Sequence, residues 1–172
     1  MEKIQSQLIG EFIVSNSAEA HSLYEKSCFG EPVGDKIQYS MSEALFLVEK
    51  MKMKVFSGKK EIPIKELLKK FKTTDAKIQI KYPVFRDLRE RGYVVKTALK
   101  FGAEFRIYEK GKRPGKEHAK WIVFTDHESK KMTWHEFSAK NRVAHSTKKN
   151  LLLAIVDEEG DISYYEVRWL KP

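Results

Sequence analysis

Disulfides are the first thing this chain does without. Its 172 residues hold one cysteine, Cys28, which can neither close an internal bridge nor build a cysteine zinc site, and which agrees with a reducing compartment. No apolar run approaches the roughly 20 residues that span a bilayer. The amino-terminal MEKIQSQLIGEF lacks both the basic segment and the apolar stretch of a secretory signal, so a cytoplasmic protein without a membrane partner is expected. Internal repeats and low-complexity segments are absent as well. With 41% hydrophobic and 33% charged residues, the composition excludes a disordered or collagen-like chain and leaves ample apolar material for burial.

Acids are scarce where it matters. Residues 1–80 hold 13 Lys/Arg against 11 Asp/Glu, whereas residues 81–172 hold 20 against 13. Within the second half, residues 81–156 alone carry 18 bases against 8 acids, while DEEGDISYYE at 157–166 has five acids and no base. A polyanion-binding surface beside an acidic loop is one reading of this, and a solvated lysine-rich surface is the other.

At this length one substantial core or two small ones are expected. In the first half IQSQLIGEFIVS reads as strand and SAEAHSLYEKS as a capped helix. GEPVGDK reads as a turn cluster, SEALFLVEKMK as a second helix, and KVFSGKKEIPI as a hairpin turning at Ser57 and Gly58. A third helix starts at IPIKELLKKFK, with Pro63 in its first turn, where a missing N–H costs little. DAKIQIKYPVFRDLRERG is helical up to Gly92, and Pro83 makes it either two pieces or one bent one. We place a boundary near residue 80. From there the pattern is mostly strands, namely GYVVKTA, AEFRIYE, KWIVFT, LLLAIVD and ISYYEVRWL. One helix intervenes, opened by the capping box of Thr133 and Glu136. A small α/β domain over residues 1–80 and a mixed-sheet α/β domain over 81–172 is the expected fold class.

The segment RIYEKGKRPGKEHAKW, Arg106 to Trp121, sets Tyr108 and His118 at the two feet of a loop rich in cations. If the flanking strands are neighbours, both residues lie at the rim of one sheet. Lys110, Lys112, Arg113 and Lys116 would then attract phosphate, and Gly111, Pro114 and Gly115 would let backbone approach a ligand closely.

KFGAEFRIYEKGKRPGKEHAKWIVF and the later NRVAHSTKKNLLLAIVDEEGDISYYEV resemble the catalytic domain of the tRNA-splicing endonuclease family. The shared features are an FG-x-x-F-R-x-Y segment, a His ten residues after the Tyr, and a basic pair just before a buried strand. Residues 75–172 carry the likeness closely, and the first half matches the family's amino-terminal domain in length and element order only. The resemblance implies a restriction-endonuclease-like catalytic domain that cuts precursor tRNA at intron boundaries with no metal or cofactor. The products implied are a 2′,3′-cyclic phosphate and a 5′-hydroxyl. It further implies Tyr108 as general base on the 2′-OH, His118 as acid for the leaving 5′ oxygen and Lys149 as the group that stabilises the charged phosphorane. Tyrosine, with an unperturbed pKa near 10, is a poor base at neutral pH unless nearby cations help it.

By the same resemblance Arg142 and Trp169, with Arg168 as runner-up, would stack on a bulged base, and the loop cations Arg113 and Lys116 would meet RNA phosphates. Asp157, Glu158, Glu159 and Asp161 would dock into a neighbouring copy, giving a homotetramer with two active subunits for two splice sites. Two other readings compete. A metal-dependent nuclease would use Glu128 and Lys130 of DHESK with His127 and His135. A catalytic subunit needing an unlike partner, or a non-catalytic RNA-binding subunit, is the remaining one.

Overall fold

The computed structural model describes residues 2–172. The chain divides into two compact units, Met1–Tyr82 and Pro83–Pro172, each built on its own sheet.

Unit one is a six-stranded sheet in the order β3-β4-β2-β1-β5-β6. Its strands are β1 (Ile4–Ile9), β2 (Phe12–Ser15), β3 (Glu31–Val33), β4 (Lys36–Tyr39), β5 (Met53–Ser57) and β6 (Lys60–Glu61), and its helices are α1 (Ala18–Ser27), α2 (Met41–Glu49) and α3 (Ile64–Thr74). Among the described residues of this unit, only β1 and β5 run parallel. Alternate residues are buried along each long strand, giving an inward row of Ile4, Ser6, Ile13, Ser15, Ile37, Tyr39, Met53 and Val55. The two serines in that row donate to neighbouring carbonyls, Ser6 to Lys54 at 2.9 Å and Ser15 to Gln5 at 2.6 Å, so neither leaves a buried hydroxyl unmatched.

Two expectations change here. IQSQLIGEFIVS is not one strand but a hairpin, because the chain reverses at Gly10 and Glu11 and pairs Ile9 with Phe12. GEPVGDK is more than a turn, since its ends are β3 and β4 around Gly34 and Asp35. Strands of three and four residues with a proline in one of them carry little periodic signal. The later hairpin pairs Ser57 with Lys60 and so turns at Gly58 and Lys59, one residue beyond the expected place. Gly30 cannot be replaced at this spot: its φ is +75°, and a Cβ there would lie 2.3 Å from Ile37 Cγ2 and 3.0 Å from the Gln38 carbonyl oxygen.

Helix α4 (Ile78–Glu90) runs through the boundary without a break, with Pro83 inside it. Of the two options Pro83 left open, a single helix is the observed one. It ends at Gly92, where the Tyr93 N–H reaches back to the Leu88 carbonyl at 3.1 Å, a left-handed stop that the φ of +91° at Gly92 permits.

Unit two is a five-stranded sheet in the order β11-β10-β9-β8-β7. The strands are β7 (Val94–Ala98), β8 (Ala103–Tyr108), β9 (Trp121–His127), β10 (Asn150–Val156) and β11 (Ile162–Val167), with α5 (Trp134–Ser146) between β9 and β10. These are the five strands and one helix expected. β9 and β10 are parallel and the other pairs antiparallel, so the sheet is mixed and the chain is of the mixed α/β class. The helix is the crossover that a parallel pair requires. Its inward residue Ala144 packs with Ile122, Phe124 and Leu151. Thr133 caps it as read, accepting from the Glu136 N–H at 3.2 Å, while the Glu136 carboxylate accepts from the Thr133 N–H at 2.8 Å. Among the described residues, no helix is long and apolar enough to cross a membrane.

Candidate active site

Strand pairing brings the two feet of the cationic loop together. β8 and β9 are antiparallel neighbours, with Arg106 opposite Ile122 and Ile107 opposite Trp121, and the Lys120 N–H closes the loop onto the Ile107 carbonyl at 2.8 Å. Between them opens a pocket of about 440 Å³ lined by Tyr108, His118 and Lys149, together with Phe101, Arg106, Lys116 and the acid Glu117. Three residues separated by 10 and 31 positions in the chain thus share one cavity. Tyr108 is not the rim residue that its strand-end position suggests. It is 4% exposed, whereas His118 is exposed.

Lys149 arrives from another direction. Helix α5 ends with Lys148 in the left-handed region at φ 55°. The Lys148 N–H bonds the His145 carbonyl at 3.0 Å and the Lys149 N–H bonds the Ala144 carbonyl at 2.9 Å, the reverse turn that commonly ends helices. The chain then enters β10 with the Asn150 N–H on the Lys120 carbonyl at 2.9 Å, which sets Lys149 beside the other foot of the loop. Its ammonium donates to the Thr147 carbonyl at 2.8 Å and lies 5.5 Å from the Phe101 ring centroid. Burial pushes it below the ordinary lysine range, and the charge of Arg106 pushes the same way. Two cations turned toward one cavity repel each other and are relieved by an anion.

Sequence reasoning missed Arg106 as a site residue, although the signal was there. Residues i and i+2 of a strand share a face, so a pocket holding Tyr108 also receives Arg106. The remaining motif positions have plain reasons. Phe101 lines the pocket, Gly102 takes φ +67° to end the short 3-10 turn Leu99–Phe101, and Phe105 is buried against the Phe85 ring at 5.7 Å.

The loop cations divide. Lys116 lines the pocket. Lys110 instead lies 5.2 Å from the Tyr93 ring centroid, and Lys112 pairs with Glu117 at 3.8 Å. Arg113 is half-buried, and its N–H bonds the Glu117 carboxylate at 2.8 Å, so Glu117 organises the loop as much as the glycines do. The interior positive charge comes from the strand residue Arg106 and from Lys149, more than from the loop.

A second pocket of about 250 Å³ adjoins the first through Lys149 and is lined by Asn141, His145, Lys148, Arg168 and Trp169. The Trp169 ring lies 4.5 Å from that of His145 at an angle of 37°. Arg142 is exposed on α5 but does not line this pocket. Arg168 is tied to Glu166 at 3.0 Å.

Asp157 holds the β10–β11 turn, its carboxylate accepting from the Glu159 and Asp161 N–H groups at 3.0 and 2.8 Å, while Glu158, Glu159 and Asp161 are exposed. Carboxylate oxygens of Asp157, Glu159 and Asp161 lie within 4.8 Å of one another, the one such grouping of possible metal ligands among the described residues. It belongs to the hairpin and lines neither pocket. The groups a metal-dependent nuclease would need are otherwise engaged. Lys130 donates to Asp126 at 2.9 and 3.1 Å, Glu128 accepts from the Glu158 N–H at 3.1 Å, and His127 bonds the Ser129 hydroxyl at 2.8 Å.

Fold and pocket together define a two-unit mixed α/β protein whose second unit carries a pocket lined by three cations, one acid, a phenol and an imidazole. Two family models match: the tRNA intron endonuclease catalytic C-terminal domain over residues 78–164 and the tRNA intron endonuclease N-terminal domain over residues 4–68. The chain is 40% identical to the tRNA-splicing endonuclease of Thermococcus onnurineus over 171 residues, covering 99% of this chain and 98% of that one. It is 38% identical to the enzyme of the same name from Methanothermobacter thermautotrophicus over 171 residues, 99% of each. With the one from Nanoarchaeum equitans it shares 42% over 146 residues, 81% of this chain and 93% of that one. The chain belongs to the tRNA intron endonuclease family and is an enzyme built on its catalytic domain. The first half, whose likeness was one of length and order, carries the family's amino-terminal domain.

Proposed function

We propose that this enzyme is a tRNA-splicing endonuclease that cuts precursor tRNA at intron–exon junctions within bulge–helix–bulge RNA. The observation that carries the reading is the convergence of Tyr108, His118 and Lys149 on one pocket with Arg106 beside them. The 2′-oxygen of the nucleotide before the junction attacks the scissile phosphorus while Tyr108 takes its proton. The bond from phosphorus to the 5′ oxygen breaks as His118 protonates that oxygen. A 2′,3′-cyclic phosphate and a 5′-hydroxyl result. Lys149 and Arg106 face the charge that develops on the phosphorane oxygens, which is where preorganised cations act most strongly. No metal is required, since base, acid and charge stabiliser are all side chains.

Arg142, Trp169 and Arg168 are assigned to stacking on and holding the bulged bases, with Arg113 and Lys116 on the phosphates. One catalytic set per chain and two junctions per intron favour a homotetramer in which Asp157, Glu158, Glu159 and Asp161 dock into neighbouring copies. A cytoplasmic location accords with a precursor tRNA substrate. The test incubates the purified protein, with and without excess chelator, with an RNA duplex bearing two three-nucleotide bulges. Cleavage in both bulges, unaffected by chelator, with cyclic-phosphate ends and abolished by His118→Ala, is the expected outcome. Tight binding without cleavage that returns on adding an unlike subunit would replace the self-sufficient assembly by a hetero-oligomer.

A further inference from the structure

Helix α5 ends at Ser146, three residues before Lys149, and its outward face has a composition that packing does not explain. Trp134, Ser138, Asn141, Arg142 and His145 recur at spacings of three and four and so lie along one side. Trp134 is 82% exposed, an unusual state for the residue type with the most apolar surface to hide. It is also held in place: its ring meets the Phe137 ring edge-on at 5.7 Å and 89°. The one acid of this helix, Glu136, lies on another side, and its carboxylate is engaged by the Thr133 N–H and hydroxyl at 2.8 and 3.0 Å. The stripe is therefore free of negative charge. Lys131 and His135 flank it at one end, and Lys148, Lys149 and the His145–Trp169 ring pair close it at the other.

A protein-docking anchor sits among apolar neighbours. Here the ring beside the exposed indole is the half-buried Phe137, and the rest of the stripe is basic and polar, the pattern of surfaces that bind single strands through stacked bases and neutralised phosphates. From Trp134 to His145 the helix rises about 16 Å at 1.5 Å per residue. That is the length of roughly five nucleotides of stacked strand at about 3.4 Å each.

We propose that the outward face of α5 is a track for an RNA strand leading to the catalytic pocket, with Trp134 stacking on a nucleobase five or more nucleotides from the scissile phosphate. The inference rests on the RNA-cleaving reading above and extends it to a part of the substrate away from the junction.

The test compares wild type, Trp134→Ala and Trp134→Phe on a double-bulge RNA with long flanks, and on two RNAs trimmed to about three nucleotides beyond the cut on the 5′ or the 3′ side. Trp134→Ala is expected to raise KM about tenfold on the long RNA, the loss of one base stack, with kcat within about twofold. Trp134→Phe should recover most of the loss, and one of the two trimmed RNAs should no longer distinguish the variants. Equal KM values for wild type and Trp134→Ala on the long RNA would overturn the proposal. So would a fall in assembly mass by light scattering accompanied by lost kcat, which would make Trp134 a contact between protein copies. If the wild-type protein neither binds nor cuts any of the RNAs, the cleavage reading itself fails, a result distinct from an inert Trp134 on a working enzyme.

Discussion

The two units bury polar groups in opposite spirits. In the first, the Glu43 carboxylate is 4% exposed and accepts from the Gly30 N–H at 2.9 Å, the Ser40 N–H at 3.0 Å and the Ser40 hydroxyl at 3.0 Å, joining the start of α2 to the loop after α1. Its neighbour Tyr39 is pushed far above the ordinary phenol range by burial and by that carboxylate. The Tyr39 hydroxyl itself finds no hydrogen-bond partner, so the match in this unit lies at the carboxylate. In the second unit Arg106 and Lys149 crowd one cavity, and Lys149 is depressed by burial and by its fellow cation. In the first unit a buried carboxylate is matched by three donors, whereas in the second two cations share one cavity.

The largest expected contrast sets the exposed imidazole of the second unit's pocket against the buried carboxylate of the first. His118→Ala should lower the cleavage rate by roughly 10² to 10⁴-fold, the usual worth of a positioned acid, with the urea midpoint unchanged because the imidazole is exposed. Rate assays and unfolding curves on the same preparation check both halves. Glu43→Ala should do the reverse. Losing a buried acceptor and stranding its donors costs about 2 kcal/mol or more, read from urea unfolding, while kcat per folded molecule stays the same. A Glu43→Ala protein as stable as wild type would show that the acid in unit one is not structural.

A smaller effect concerns the paired cations. Because Lys149 has a lowered pKa in the folded state, the folded protein releases that proton before the unfolded chain does. The group therefore penalises folding while it is protonated, and the penalty disappears as pH rises through the lowered value toward that of an ordinary lysine. Arg106→Gln should move the Lys149 titration upward, and saturating inorganic phosphate should do the same in the wild type. Titration of the Lys149 side chain by NMR measures both, and an unmoved curve would mean that the two charges do not share the pocket electrostatically. The smallest effect is at the end of α5. Lys148→Gly removes a side chain from a residue at φ 55° and should raise stability by about 0.5 to 1 kcal/mol, seen as a small increase in Tm.

Legibility in the sequence followed the length and regularity of each signal. The five strands of unit two and helix α5 were readable because each strand runs five to seven residues and the helix has a capping box. In unit one, β3, β4 and β6 run two to four residues, too few for a period to declare itself. Helix α4 stayed whole around Pro83, because buried Val84, Phe85 and Leu88 outweigh one missing hydrogen bond.

Tyr108, His118 and Lys149 were singled out through the resemblance to the tRNA-splicing endonuclease family, and Arg106, which lines the same pocket, was missed although the alternation of β8 places it on the face of Tyr108. Chain order alone also carried the mixed α/β class and the uneven charge. Tertiary structure alone decided that Lys110 and Lys112 turn to Tyr93 and Glu117, that Asp157 is spent on holding its turn, and that His145 rather than Arg142 lies against Trp169. The physical reason is the same in each case. A strand or helix dictates which neighbours a residue has at short sequence distance, whereas the partner of a flexible charged or aromatic side chain is whatever strand pairing and the helix crossover bring within a few ångströms.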